Sequence, residues 1–506
     1  MATNRSPAPL IAAGGARRWP WLPALVLLWL MAACIGPTTT TDLWTHLRVG
    51  EDVLAEGVFP SVERYSATAE GRPFIAHEWL SAVVLAIIHS ALGGPGLTLL
   101  RGGAVGAALA LLLFAAPVAQ RRNLAFAVLL ILAACLISFR AHVRPHLFTL
   151  LILCGLTFLL ERWRRNRSFA ELAWVVPIHF LWVNLHGAYL FGIGLLGVLT
   201  ICVGACAAVP ALQPRDETTY RASDSAQLGI LTLASGLACL LNPYGVHIFE
   251  FSLRMSEGSE YMRFSIWEWR STLQIGPGKP WFPAYCAMGI LVWSSILLRL
   301  RARPVLDFAV GSVVTYLSLR ANRFVPYLAI FGLPIAARAW CALEEKLDLD
   351  SRPRFRWAAS GLVVLYLIAT SAGPGAVYGA RLRRQIGWGT GGDMPYESVS
   401  FLENSTHRGV IYNDYNDGAL IIYRLYPRIR PVMDSRMDIY GEKLVREYGR
   451  SRRDLDAFYA YLDKYGVSLA LLANTKAYRS LIESLEANRE WRRVFQSQRR
   501  TLFARR

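Results

Sequence analysis

Carboxylates, imidazoles and guanidinium groups stand at the edges of long apolar runs in this chain. Asp42 opens the stretch Thr41-Asp42-Leu43-Trp44-Thr45-His46, and His77-Glu78-Trp79 ends the same polar loop. Arg140, His142, Arg144 and His146 mark a second junction, and Asn184-Leu185-His186-Gly187 a third. Asn242-Pro243-Tyr244-Gly245, Trp267-Glu268-Trp269-Arg270, Arg320 and Arg323 complete the set. Ionisable groups at such depth are costly and mark function. A carboxylate can take a proton from an attacking hydroxyl. Arginines can hold a phosphate leaving group by charge-assisted, bidentate bonds. A greasy groove between helices suits a lipid tail. Together these parts suit group transfer from a lipid-phosphate carrier.

Each residue also has a plainer reading. A membrane-edge Arg often snorkels to headgroups, interfacial Trp anchors a helix, and Asn-Pro-Tyr-Gly is a good turn. Asp42 can serve as a helix cap. What the plainer readings leave unexplained is that so many junctions share one face.

That face follows from the elements that carry the residues. The 506 residues are 54% apolar and only 18% charged, against about a quarter charged in soluble domains. A spanning helix needs about 20 mostly apolar residues. Candidate runs are 20–36, 79–93, 97–119, 124–139, 147–160, 169–185, 187–209, 227–241, 281–298, 304–319, 323–341 and 357–378. Arg-rich loops stay in the cytoplasm. The tail 1–19, the loop 161–167 and the turn 299–303 carry such clusters and are assigned inside. The acidic loop 37–78, the junctions above and the tail from 379 then fall outside. Loop 37–78 outside and Arg121-Arg122 inside require an odd number of crossings, so 79–119 is expected to cross once. The total is about 11 crossings.

The net charge of +18 fits helix-end arginines, and nucleic acid is not expected as a partner. The eight cysteines fall in or beside apolar runs and read as small hydrophobes. No cysteine has metal-ligand spacing. No P-loop, dinucleotide fingerprint or metalloprotease helix is present. No cofactor is assigned; a divalent metal stays open, without a ligand motif.

The run Asp42-Leu43-Trp44-Thr45-His46-Leu47-Arg48-Val49-Gly50, then Pro60, Tyr65-Ser66 and His77-Glu78-Trp79-Leu80, resembles bacterial membrane glycosyltransferases of the GT-C fold. The similar branch is glycosyltransferase 39, with its PMT-like, ArnT-like and RgtA/B/C/D-like enzymes. The resemblance implies inverting sugar transfer from a polyprenyl-phosphate carrier to an envelope lipid, glycan or protein acceptor. It implies a bacterial inner membrane, with the N-terminus cytoplasmic and the site extracytoplasmic. Asp42 matches the family's catalytic base, with Glu78 beside it in the catalytic pair. His46, His77, Arg144, His146, Asn184, His186, Asn242, Tyr244, Glu268, Arg320 and Arg323 are the candidates for holding substrate and lipid phosphate. The family often has a Lys near His77-Glu78, and a second acid where this chain has Arg140 to His146.

From Tyr396 the pattern changes to that of a small α/β domain. Strands are expected at 409–413, 430–434 and 467–472, helices at 419–425, 455–465 and 478–487, and a hairpin at 491–503. Asp434, Arg436 and Asp438 end a strand, where α/β sheets bind ligands. Two other functions stay open: a flippase for a lipid-linked sugar, and a non-catalytic subunit of envelope-polysaccharide assembly. Absence of an internal repeat speaks against the flippase.

Overall fold

The computed structural model describes residues 40–257, 266–348 and 394–506. The expected runs 20–36 and 357–378 lie outside the described residues.

The first element is a helix that the sequence reading did not assign, α1 (Leu43–Glu56). It buries Leu43, Trp44 and Leu47 in one hydrophobic cluster and Val49 and Val53 in another, so it is packed on more than one side. It packs on α2 (Trp79–Ala115). At about 1.5 Å per residue, the 37 residues of α2 far outrun a bilayer core of about 30 Å. Gly93 divides it, with φ 62° and ψ −155°, and Pro95 follows. Only glycine takes that conformation without strain. The first limb lies against α1, and the second packs on α4 (His146–Asn166). One element therefore covers both apolar runs between 79 and 115.

The helices α3 (Leu124–Ser138), α5 (Val175–Leu185), α6 (Tyr189–Ala208) and α7 (Ala222–Ala238) continue the bundle. After the surface helix α8 (His247–Glu257) come α9 (Phe282–Leu298), α10 (Val305–Arg320) and α11 (Val325–Lys346). Four described helices are long and apolar enough to cross a membrane: 79–115, 146–166, 189–208 and 322–346. The fold is thus that of a polytopic membrane protein. Trp163, Trp182, Tyr189 and Phe126 fill its core. Cys286 departs from the expected buried set, since it is exposed on the apolar helix α9.

Charged groups collect at the two ends of this bundle. At one end Arg164, Arg299 and Arg338 all bond the buried Asp307. Arg165 reaches the Ala115 carbonyl there, and Arg303 that of Pro210. The Arg-rich segments 161–167 and 299–303 therefore meet at the same end, as the charge pattern expects. The candidate site residues lie at the other.

The C-terminal domain carries a five-stranded sheet in the order β2-β1-β3-β5-β4. Here β1 is Gly409–Asn413, β2 Ile429–Pro431, β3 Val467–Ala473, β4 Trp491–Gln496 and β5 Arg500–Arg505. β1 runs parallel to β2 and β3, and the hairpin β4-β5 is antiparallel. The helices are α12 (Tyr396–Glu403), α13 (Gly418–Leu425), α14 (Met437–Ser451), α15 (Leu455–Lys464) and α16 (Arg479–Ala487). The expected strand 430–434 is shorter, and α14 begins where a loop was expected.

This domain shares its core with the segment 49–83. Val49, Tyr65, Phe74 and Val83 join Tyr412, Met433, Ile439 and Tyr440 in one hydrophobic cluster. Thr68 donates to the Val432 carbonyl at 2.6 Å, and Arg72 to that of Tyr440 at 2.6 Å. Arg436 donates to Glu63 at 2.6 and 3.0 Å and to Asp434 at 2.7 Å. Glu63 and Asp434 are both buried.

Two substitutions test this packing. A Cβ on Gly50 would collide with the Ala82 backbone. Overpacking costs about 1–3 kcal/mol, so Gly50→Ala is expected to lower the thermal midpoint of the detergent-solubilised protein. An unchanged midpoint would rule out the close α1–α2 crossing. Glu63→Ala leaves Arg436 with Asp434 as its one remaining ion partner among the described residues, and weakening such a largely buried network costs up to about 3–5 kcal/mol. Limited proteolysis should then cut the 394–506 domain faster; equal cutting rates would count against the clamp.

Candidate active site

Asp42 sits at the N-terminus of α1, yet its carboxylate makes no capping bond to that helix. The capping explanation therefore does not hold. Its partners are the Thr41 hydroxyl at 3.1 Å and Arg144 at 3.1 Å. Arg144 also meets Glu268 at 3.1 Å, and Arg140 pairs with Glu268 through both guanidinium nitrogens at 2.8 Å. So the carboxylate missing from the junction 140–146 is supplied by the segment 267–269. Burial favours protonated Glu268, but Arg140, Arg144 and Arg323 outweigh it and hold its pKa far below the carboxylate range.

Arg323 stacks over Trp269, 4.4 Å from the ring centroid, a cation–π contact. Among the described residues no carboxylate lies within ion-pair distance of it. Its guanidinium edge is thus uncommitted beside a saturated pair.

Glu78 stands at the head of α2 and gathers three imidazoles. The Nε2 atoms of His186, His77 and His46 lie 3.5, 3.6 and 3.7 Å from its carboxylate. Thr149 Oγ bonds His186 Nδ1 at 2.9 Å, and Trp182 donates to that same oxygen at 2.8 Å. Burial would raise the pKa of Glu78, but His77, His186 and His46 drive it below the usual range. Burial lowers His77, but Glu78, Asp438 and the Ile75 carbonyl together raise it more, so its net shift is upward. Burial lowers His46. Burial, aided by Arg323 and His77 against the pull of Glu78, brings His186 down to about 4.

A cavity of about 150 Å³ opens beside these groups, and Arg144, His186, Glu268 and Arg323 stand behind its lining residues and not among them. Asp42, His46, His77 and Glu78 line one side, and Ser435, Arg436 and Asp438 of the C-terminal domain the other. Burial raises Asp438, with His77 and Arg436 opposing only in part. Tyr415, whose hydroxyl donates to the Ser435 carbonyl at 2.8 Å, feels the charges of Asp42 and Arg144.

Other candidates are placed differently. Asn184 accepts from Trp79 at 2.8 Å and donates to Phe180 at 2.8 Å, so it pins helices together. Asn242 closes its own turn, accepting from Tyr244 N at 2.8 Å. Tyr244 ties the loop that joins α1 to α2, accepting from Ala76 N and donating to the Pro60 carbonyl, both at 3.0 Å. His146 bonds the Arg140 carbonyl and shapes the junction. Arg320 is not brought to the cavity: it is exposed and donates to Tyr316 at 3.1 Å, one turn back on its own helix. Asp434 is not open to a ligand either, since Arg436 and Tyr440 consume its oxygens. Thr149, Trp182 and Tyr415 were missed. Ordinary apolar-helix and loop positions give them no sequence signal. Among the described residues no three His, Cys, Asp or Glu are set to hold a metal ion.

The His77–Glu78 pair gives a pH signature. A raised histidine pKa adds stability that is complete below the unfolded value of about 6.5 and fades as pH rises through the folded value. The midpoint gap between wild type and His77→Gln should therefore shrink from acid to alkaline pH. A gap that stays constant or widens would remove the pair from this account.

No family model and no curated protein matches the chain. Solved structures do. Archaeal oligosaccharyltransferase AglB from Archaeoglobus fulgidus, in complex with an inhibitory peptide and a dolichol-phosphate, aligns over 90% of this chain and 69% of its own, with TM-score 0.62 and 10% identity. The Archaeoglobus fulgidus oligosaccharyltransferase in the apo form aligns over 90% and 70%, with TM-score 0.60 and 12% identity. ArnT from Cupriavidus metallidurans in the apo state aligns over 96% and 97%, with TM-score 0.51 and 16% identity. At these identities the likeness is one of architecture, and the architecture is the GT-C fold.

Proposed function

We propose that the chain is a membrane glycosyltransferase that moves a sugar from a polyprenyl-phosphate carrier to an envelope acceptor. The observation that carries this reading is Asp42, a carboxylate released from capping, lining the cavity and held by Arg144 at 3.1 Å. The GT-C fold supports it, as does the dolichol-phosphate in the AglB complex. That complex also holds a peptide, which suits a site taking both carrier and acceptor.

In the proposed step the acceptor oxygen attacks the anomeric carbon while Asp42 takes its proton. The bond from that carbon to the phosphate oxygen breaks, and the electron pair leaves with the polyprenyl phosphate. Attack from the opposite face inverts the anomeric centre. Arg323 has no carboxylate to leave and meets the phosphate first. Arg144 then shifts from Asp42 toward the new anion, which frees the base as the donor binds. Glu78 keeps His46, His77 and His186 in place around the acceptor. As written the step needs no cofactor, and transfer that survives a chelator is the expected outcome. Read by the positive-inside rule, the Arg-rich segments support a cavity on the extracytoplasmic face of a bacterial inner membrane, with the N-terminus inside.

Asp42→Asn should reduce transfer from a radiolabelled polyprenyl-phosphate sugar by about 10²–10⁴-fold, the usual worth of a general base, with an unchanged melting curve. Arg323→Ala should weaken binding of polyprenyl phosphate. Full transfer by the Asp42→Asn protein would overturn the role of Asp42.

A further inference from the structure

The end of the bundle opposite the Asp42 cavity holds a larger hollow, of about 590 Å³. Arg164 and Arg165 of α4, Arg215 of the α6–α7 connection, Arg299 after α9 and Arg338 of α11 line it. At about 1.5 Å per residue, the run of α4 from His146 to Arg164 sets it roughly 27 Å from the outer junction. It is a separate place, with its own charge balance.

Three of these arginines are committed. Arg164 bonds Glu217 at 2.5 Å and Asp307 at 2.6 Å. Arg299 bonds Asp216 at 2.6 Å and Asp307 at 2.5 Å. Arg338 bonds Glu161 at 2.5 Å and Asp307 at 2.9 Å. The other two are not. Arg165 gives one nitrogen to the Ala115 carbonyl at 2.7 Å. Among the described residues neither Arg165 nor Arg215 has a carboxylate within ion-pair distance, and both are exposed. Five guanidinium groups thus face four carboxylates (Glu161, Asp216, Glu217 and Asp307), a surplus of one positive charge.

The surroundings narrow the class of anion. Phe114 and Val118 flank the lining residues Ala116 and Pro117, and Leu298 and Leu300 flank Arg299. These four are 50–62% exposed. Exposed apolar side chains beside a cationic hollow at a helix end match a molecule with an anionic head and a hydrocarbon tail. Basic pockets between membrane helices take phospholipid headgroups in this way, and the arginine fork fits phosphate oxygens. We propose that this hollow binds the phosphate of an anionic membrane phospholipid, gripped by Arg165 and Arg215. The lipid would bridge α4 to the α6–α7 connection and neutralise the surplus charge.

The test uses the full chain in an uncharged detergent and reads its thermal midpoint. Phosphatidylglycerol should raise the midpoint by a few degrees, and phosphatidylcholine should not. The double variant Arg165→Gln/Arg215→Gln should melt like wild type without lipid and lose most of the rise. If that variant folds poorly, Arg215→Gln alone should lose part of the rise. An equal rise with inorganic phosphate overturns the lipid as the source. No rise, or one that survives in the variants, overturns the site.

Discussion

The arrangement of the candidate site depends on one buried guanidinium. Arg436 lies between Glu63 of the loop that joins α1 to α2 and Asp434 of the C-terminal domain, and both carboxylates are fully buried. Burying three charges is favourable only when each polar atom has a partner. Here Glu63 also accepts from the Tyr65 and Ser66 backbone at 2.8 Å, and Asp434 from Tyr440 at 2.6 Å. The register this sets is strict. It carries Ser435 and Asp438 to the cavity wall opposite Asp42 and Glu78. Asp434 is thus closed off behind the clamp, while Arg436 and its neighbours Ser435 and Asp438 line the cavity.

The two ends of the bundle use charge in different ways. Around Asp307, three arginines share one carboxylate whose exposure is 0%, and four separate segments are drawn together. Around Glu78 the partners are imidazoles at 3.5–3.7 Å, longer than an ordinary hydrogen bond. The first arrangement is closed. The second leaves room and can exchange partners, as a site must while substrates enter and leave.

Much of this was legible in the sequence. The Arg-rich segments meeting at one end follow from charge alone, because cations collect where helices leave the bilayer. The strands at 409–413 and 467–472 show in their apolar, β-branched runs. Other features were hidden. The break that Leu92-Gly93-Gly94-Pro95 suggests is present at Gly93, but nothing local shows that the two limbs run on as one bent element. Helix α14 was obscured by Gly441, whose φ of 68° bends it. Asn184, Asn242 and Tyr244 look like ligands because they are polar beside apolar runs. Asn242 instead closes the turn that Asn-Pro-Tyr-Gly suggests, and the partners of Asn184 and Tyr244, up to 184 positions away, are set by tertiary contact, which no local pattern records. Hydropathy shows which groups must avoid water, not which partner each one finds.

The shared core between loop and C-terminal domain has a consequence for biosynthesis. Tyr65 and Phe74 are made early, but the residues that bury them, Tyr412 to Tyr440, come more than 300 positions later. Closing so long a loop is entropically slow. On a growing chain the loop therefore waits, with its apolar side chains uncovered, through the synthesis of the whole helical bundle. The candidate cavity cannot exist until the last wall arrives. A chain interrupted before that point would be both inactive and sticky, and quality control could recognise it by the same surface that the finished protein hides.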